Sequence, residues 1–178
     1  LGEDAVTRAR SEAEARGLEV QFAVADMRSV HDVHDGGFDV VIACDNALPH
    51  LLSDEDILEA LRAFYESLRP GGGCVITTRD YAEEPRGGLA LRPTGIRKDD
   101  RAVYTAWQVW DFEGEVYTMS LYLTEDTGEG PPETRVFRTR YYSIPTDRTM
   151  DLMRQAGFQG VRRLDGAFFQ PLMVGTKN

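Results

Sequence analysis

The sequence predicts an α/β fold built on parallel strands, with an antiparallel insertion late in the chain. Three observations carry this. The runs DVVIAC (residues 39–44) and CVITT (74–78) are short, β-rich and apolar without polar alternation, as expected of parallel strands covered on both faces. A capped amphipathic helix lies between them, which is the strand–helix–strand spacing of a crossover unit. Finally, VYTAWQVWDF, EVYTMSLYL and TRVFRTRYYSI alternate with period two and are separated by turn residues, the pattern of a meander.

The elements follow in chain order. Residues 2–16 predict a helix with Val6, Ala9 and Ala13 on one face and Gly17 as its stop. LEVQFAVAD (18–26) reads as a half-buried strand, with Leu18, Val20, Phe22 and Val24 alternating. MRSVHDVHDGG (27–37) reads as a loop, with His31 and His34 on its surface. After the DVVIAC strand, Ser53 is the N-cap of a helix whose first turn carries Asp54, Glu55 and Asp56 at the positive end of the dipole. Ile57, Leu61, Phe64 and Leu68 form its apolar stripe, and Pro70-Gly71-Gly72 ends it before CVITT. Residues 82–102, rich in Gly, Pro and charge, read as a long loop. The meander follows, its first two strands joined at Glu113-Gly114 and the last two by TGEGPPE. TDRTMDLMRQAG reads as a short helix stopped by Gly157, and FQGVRRL with FFQPLMVGTK as a closing strand pair. The expected organisation is an α/β part over 1–81, an inserted antiparallel subdomain over 82–145, and a last helix with the closing strand pair over 146–178.

Composition narrows the function. With 178 residues the chain is long enough for one sizeable core. The net charge of −10 argues against nucleic acid or an anionic membrane surface as a partner, since both reward basic surfaces. No apolar stretch reaches the ~18 residues of a membrane span. Cys44 and Cys74 have no metal spacing, and no ligand cluster for a metal is visible. One closes a strand and the other opens its neighbour, which puts them ~15 Å apart, beyond the ~7 Å that a disulfide allows. Reduced, buried cysteines and a cytoplasmic protein are expected.

Polar residues gather at three strand ends: Asp26, then Asp45-Asn46, then Arg79-Asp80-Tyr81. In an open α/β sheet these carboxyl ends share one rim, where ligands bind. A rim with acids, an amide and one Arg suits a small ligand bearing donors and a carboxylate that Arg79 grips. Asx residues at such positions also serve simply as turn formers, and His50 between Pro49 and Leu51 reads equally as a packed residue.

Asp26-Met27 after a strand, FDVVIAC running into Asp45-Asn46, and LRPGG entering the next strand resemble a class I S-adenosylmethionine-dependent methyltransferase, a Rossmann-like sheet. FDVVIACDNALPHL and RPGGGCVITTRDY look most like the glycine and glycine/sarcosine N-methyltransferase group, through Asn46, His50, Leu51 and Arg79-Asp80-Tyr81. The chain departs from that group at Asp45, where the group has Gly, and at Asp80, where it has Asn.

The resemblance implies S-adenosyl-L-methionine as cofactor, with Asp26 on the adenine amino group, the Met27 backbone at the ring, and Cys44 and Asp45 along the methionine side. It places Asn46 and Arg79 on a substrate carboxylate, Tyr81 among the substrate-binding residues and His50 near the cofactor's reactive end, with Tyr141 and Tyr142 descending from the insertion onto the substrate. His50 and Tyr142 are the expected catalytic residues, and N-methylation of a small amino acid such as glycine or sarcosine is the expected reaction. O-methylation of a small metabolite, or a catalytically silent cofactor-binding module, remain open alternatives. A nicotinamide dehydrogenase shares the strand-end logic, but no Tyr-x-x-x-Lys is present. The family's cofactor signature, an acidic residue and a Gly-rich loop after the first strand, is not among these residues. In the family's strand order its two strands would lie between LEVQFAVAD and FDVVIAC, so a longer or a naturally truncated polypeptide is expected.

Overall fold

The computed structural model describes residues 2–82, 84 and 88–178. Two four-stranded sheets organise them. α1 (Glu3–Ala15) is followed by a 3₁₀ turn (Met27–Asp32), β1 (Phe38–Ala43), a second 3₁₀ turn (Leu48–His50), α2 (Asp54–Ser67) and β2 (Leu68–Thr77). The antiparallel insertion comprises β3 (Gly88–Lys98), β4 (Val103–Glu113), β5 (Val116–Asp126) and β6 (Glu133–Tyr142). α3 (Thr146–Gln155), β7 (Gln159–Leu164) and β8 (Leu172–Thr176) complete the chain. One sheet has the order β1-β2-β8-β7, with β1 parallel to β2 and the remaining pairs antiparallel; the other runs β3-β4-β5-β6.

α2 forms where its signals place it. The Ser53 side chain accepts from the Asp56 N–H at 3.2 Å, capping a first turn that carries three acids. Ile57, Leu61 and Phe64 are buried against Cys74 and Ile76 of β2, Leu152 and Met153 of α3, and Met173 of β8. At the start of β2 the backbones come very close. A Cβ on Gly72 would stand 2.9 Å from the Arg69 carbonyl oxygen and 3.0 Å from that of Phe38, so only glycine fits.

Five sequence expectations are corrected. Residues 18–26 form no strand: Leu18, Val20 and Val24 are exposed, and no described strand lies alongside to complete a backbone ladder. Alternation marks a strand only where a lateral partner exists. The segment after them is not all loop, because Asp26 caps the 3₁₀ turn, and His34 packs edge-on against Phe38. β1 is not covered on both faces. Val41 and Ala43 pack on the core, but Val40 and Ile42 point the other way, and Ile42 is 65% exposed. Cys44 is exposed, and the register sets Cys74 opposite Val41, so the cysteines are offset by three residues rather than five. Both are free thiols, and Cys74 is buried.

The fifth correction concerns residues 82–102, where β3 stands in place of most of the expected loop. Its Pro and Gly sit at a register shift between Pro93 and Gly95 on the outermost strand, where a missing N–H costs no ladder bond.

Replacing Gly72 with Ala is expected to lower stability by about 1–3 kcal/mol. Urea unfolding would show a lower midpoint at unchanged m value.

Candidate active site

At the end of β1 the backbone makes an unusual turn. Asp45 and Asn46 have φ of 55° and 64°, consecutive left-handed residues without glycine. Asx residues tolerate this conformation best, yet each still costs of order 1–3 kcal/mol. Cross-strand hydrogen bonds hold it. The Asp45 N–H donates to Thr77 Oγ1 at 2.8 Å and the Asn46 N–H to the Thr77 carbonyl at 3.2 Å. Asn46 is buried, and its side chain is engaged at both ends: Oδ1 accepts the Arg79 N–H at 2.8 Å, and Nδ2 donates to the Tyr81 hydroxyl at 2.7 Å. Thr77 donates to Gln170 Oε1 at 2.9 Å, which draws the loop before β8 into the same network.

The Tyr81 hydroxyl lies 3.1 Å from that of Tyr117 on β5, so the network crosses from one sheet to the other. From Tyr117 an aromatic column extends both ways. Trp110 stacks on it at 4.8 Å and Tyr141 at 5.3 Å, and His50 lies 4.3 Å from the Tyr141 ring. Burial pushes the phenols of Tyr81, Tyr117 and Tyr141 above their ordinary range, so all three stay protonated near neutral pH. Burial also lowers the His50 pKa, opposed by a hydrogen bond with the Arg140 backbone, and the imidazole is neutral at pH 7.

Between the sheets lies a cavity of about 190 Å³. Asp45, Asn46 and Arg79 form one wall, and Gln108, Trp110, Tyr117, Met119 and Tyr141 the other. A separate groove of about 420 Å³ is lined by Met27, Ile42, Cys44 and Ala47 among others. Arg79 also borders an outer cleft of about 460 Å³ beside Asp80, Arg163 and Phe168.

The sequence-predicted residues thus fall into two groups. Asp45, Asn46, Arg79 and Tyr141 meet at the inner cavity with Tyr81 buried behind them, whereas Met27 and Cys44 meet at the groove. Asp26 accepts the Arg28 N–H at 2.9 Å and pairs with the Arg28 guanidinium at 2.8 Å; chiefly through that side chain its pKa falls to about 2.

Tyr142 is not where the resemblance implies. Neighbours on a strand point to opposite faces, so with Tyr141 in the cavity, Tyr142 joins the core and donates to Asp54 Oδ1 at 3.0 Å. Its phenol is pushed up to about 12 by burial and then by Asp54. Sequence reasoning missed Gln108, Trp110, Tyr117 and Met119. Alternation places them on one face of the meander, but not against the rim.

Comparison with known proteins agrees with this architecture. The family described as Methyltransferase domain matches residues 1–72. An S-adenosylmethionine-dependent methyltransferase from Clostridium acetobutylicum superposes with a TM-score of 0.80 over 100% of this chain and 73% of its own, at 13% identity. This is the S-adenosylmethionine-dependent methyltransferase fold. The S-adenosylmethionine-bound amino pentose methyltransferase of Micromonospora echinaspora shares it, with a TM-score of 0.79, 17% identity, and coverage of 97% of this chain and 71% of its own. A glycine/sarcosine N-methyltransferase from Parasynechococcus marenigrum is 33% identical over 88 residues, 49% of this chain. The match spans 31% of that relative's length. Among the described residues no helix is long and apolar enough to cross a membrane.

The strand alternation gives opposite expectations for adjacent tyrosines. Tyr142→Phe should cost about 0.5–1.5 kcal/mol in thermal unfolding, because it removes the bond to Asp54, while Tyr141→Phe, whose ring faces the cavity, should change stability little.

Proposed function

We propose that the protein transfers a methyl group from S-adenosyl-L-methionine to the amine of a small metabolite that also carries an anionic group, an amino acid such as glycine or sarcosine being the simplest case. The observation that carries this reading is Arg79. Its backbone N–H is anchored by Asn46, its guanidinium lies 4.4 Å from the Trp110 ring centroid, and it borders a cavity sized for a small molecule. The glycine/sarcosine N-methyltransferase match supports the same acceptor class.

The residues present fit part of the cofactor. The groove at Met27 and Cys44 offers an apolar wall, and Asp26 caps the 3₁₀ turn that begins at Met27. Met27 and Cys44, with Asp26 next to Met27, would hold the cofactor, which supplies an electrophilic methyl group when bound. The task left to this chain is to orient the acceptor and exclude water. Arg79 holds the anionic end. The protonated phenol of Tyr141 and the carboxylate of Asp45 border the same space and direct the amine. The neutral imidazole of His50, 3.3 Å from Thr139 Oγ1 and packed on Tyr141, fixes that ring rather than serving as a strong base.

A second reading, a larger acceptor such as an amino sugar, draws on the outer cleft that Arg79 shares with Phe168 and Phe169, and on the amino pentose methyltransferase among the structural neighbours. Full-length protein with labelled cofactor and a panel of amino acids, amino sugars and hydroxylated analogues separates these readings.

Arg79→Gln should raise the KM for an anionic amine about 10- to 100-fold, the loss of one charge-assisted contact of about 1.5–3 kcal/mol. Calorimetry should show cofactor affinity unchanged. An unchanged KM would remove Arg79 from the acceptor site. kcat/KM should rise with pH through the acceptor amine's own pKa, because only the free amine attacks. His50 is already neutral across that range, so His50→Gln should keep the alkaline limb; losing it would make His50 the base.

A further inference from the structure

Trp110 is 1% exposed, yet two guanidiniums lie over it. Arg79 comes from the end of β2, with its Cζ 4.4 Å from the ring centroid; Arg92 comes from β3, at 4.8 Å. Two like charges brought to one ring repel, and a nearby carboxylate offsets this. Glu84 is ion-paired with Arg92 and lies 3.7 Å from Arg79, with its own side chain 16% exposed. Among the described residues neither of the other acids nearby, Asp80 and Asp45, makes an ion pair with Arg79 or Arg92. Asp80 is paired with Arg163 at 2.7 Å, and Asp45 is turned to Gln170 Nε2 at 3.4 Å.

One carboxylate therefore serves two guanidiniums and does not satisfy them. Among the described residues the Nε atoms of both Arg79 and Arg92 are buried without a hydrogen-bond partner. Buried donors are almost always paired. The Nε groups themselves are covered, but the Arg79 and Arg92 side chains are 36% and 35% exposed and Arg79 lines the inner cavity, so the outer edges of two under-satisfied cations are open to an acceptor group from outside the chain. The anionic end of a substrate has the required chemistry.

Resting on the acceptor reading above, we propose that Arg92 and Arg79 together form the subsite for the substrate's anionic group, and that Glu84 is an internal carboxylate competing for it. Arg92 is then a specificity-determining residue contributed by the insertion. Glu84 sets a threshold: weakly anionic or neutral ligands do not displace it from the guanidiniums, whereas a carboxylate or phosphoryl group in good geometry does. Trp110 holds both cations in place through its ring face.

The test uses the full chain with Trp107→Phe, so that intrinsic fluorescence reports Trp110 alone. Acetate and inorganic phosphate are titrated as probes of the two anion types. Both should saturate the signal. Arg92→Gln should weaken the probes about tenfold, as for loss of one charge-assisted contact. Glu84→Gln should tighten them about fivefold or more, because a competitor has been removed. A merely structural Glu84 would give the opposite sign, and misfolding does not produce a gain. Unchanged or weaker binding in Glu84→Gln, or unchanged binding in Arg92→Gln, overturns the proposal. Tighter phosphate than acetate supports the subsite and makes the acceptor a phosphoryl compound; tighter acetate makes it a carboxylate. Methyl transfer is not measured, so a failure of the acceptor reading leaves this result standing.

Discussion

The buried amide of Asn46 is the interaction on which the rest of the site depends. It occupies a left-handed position next to another, a conformation that the local chain does not favour. Its side chain offsets that cost by accepting from the Arg79 N–H and donating to the Tyr81 hydroxyl. A buried amide left unpaired costs on the order of 1–3 kcal/mol, so the turn and the ends of β1 and β2 form as one unit. Arg79 is therefore aimed by the backbone of a strand end, rather than by a flexible loop.

From Tyr81 the same network reaches Tyr117, which joins the α/β layer to the meander. This makes the inner cavity a product of both sheets. The aromatic column from His50 to Trp110 supplies a rigid, low-polarity wall, and the phenols embedded in it remain protonated. Such a wall favours positioning over proton transfer. That suits the proposed reaction, a displacement at an already activated methyl group in which alignment and exclusion of water contribute to the rate.

Much of this architecture was legible in the residues. Ser53 and the acids after it, the Ile57-Leu61-Phe64 stripe, and the Gly114 turn each encode local structure through hydrogen bonding or periodicity within a few positions. The strand-end residues Asp45, Asn46 and Arg79 were legible as a rim for the same reason, because they stand where apolar runs stop. Residues 18–26 misled. Their alternation is genuine, but a strand is completed by its neighbour, and none of the described strands lies beside them. β3 misled in the other direction, since its Pro and Gly read as loop until an edge position makes them harmless.

The sequence by itself determined the secondary structure of α1, α2, α3 and the meander, the parallel pair β1 and β2, and the identity of Arg79 as the cation of the rim. It did so because these depend on short-range periodicity, capping and turn chemistry. Only the tertiary structure decided that Tyr141 faces the cavity while Tyr142 faces the core, that Asn46 is an internal clamp, and that Arg92 joins Arg79 over Trp110. Those outcomes depend on which face of one sheet meets the other, and that is a long-range packing choice with no local signature.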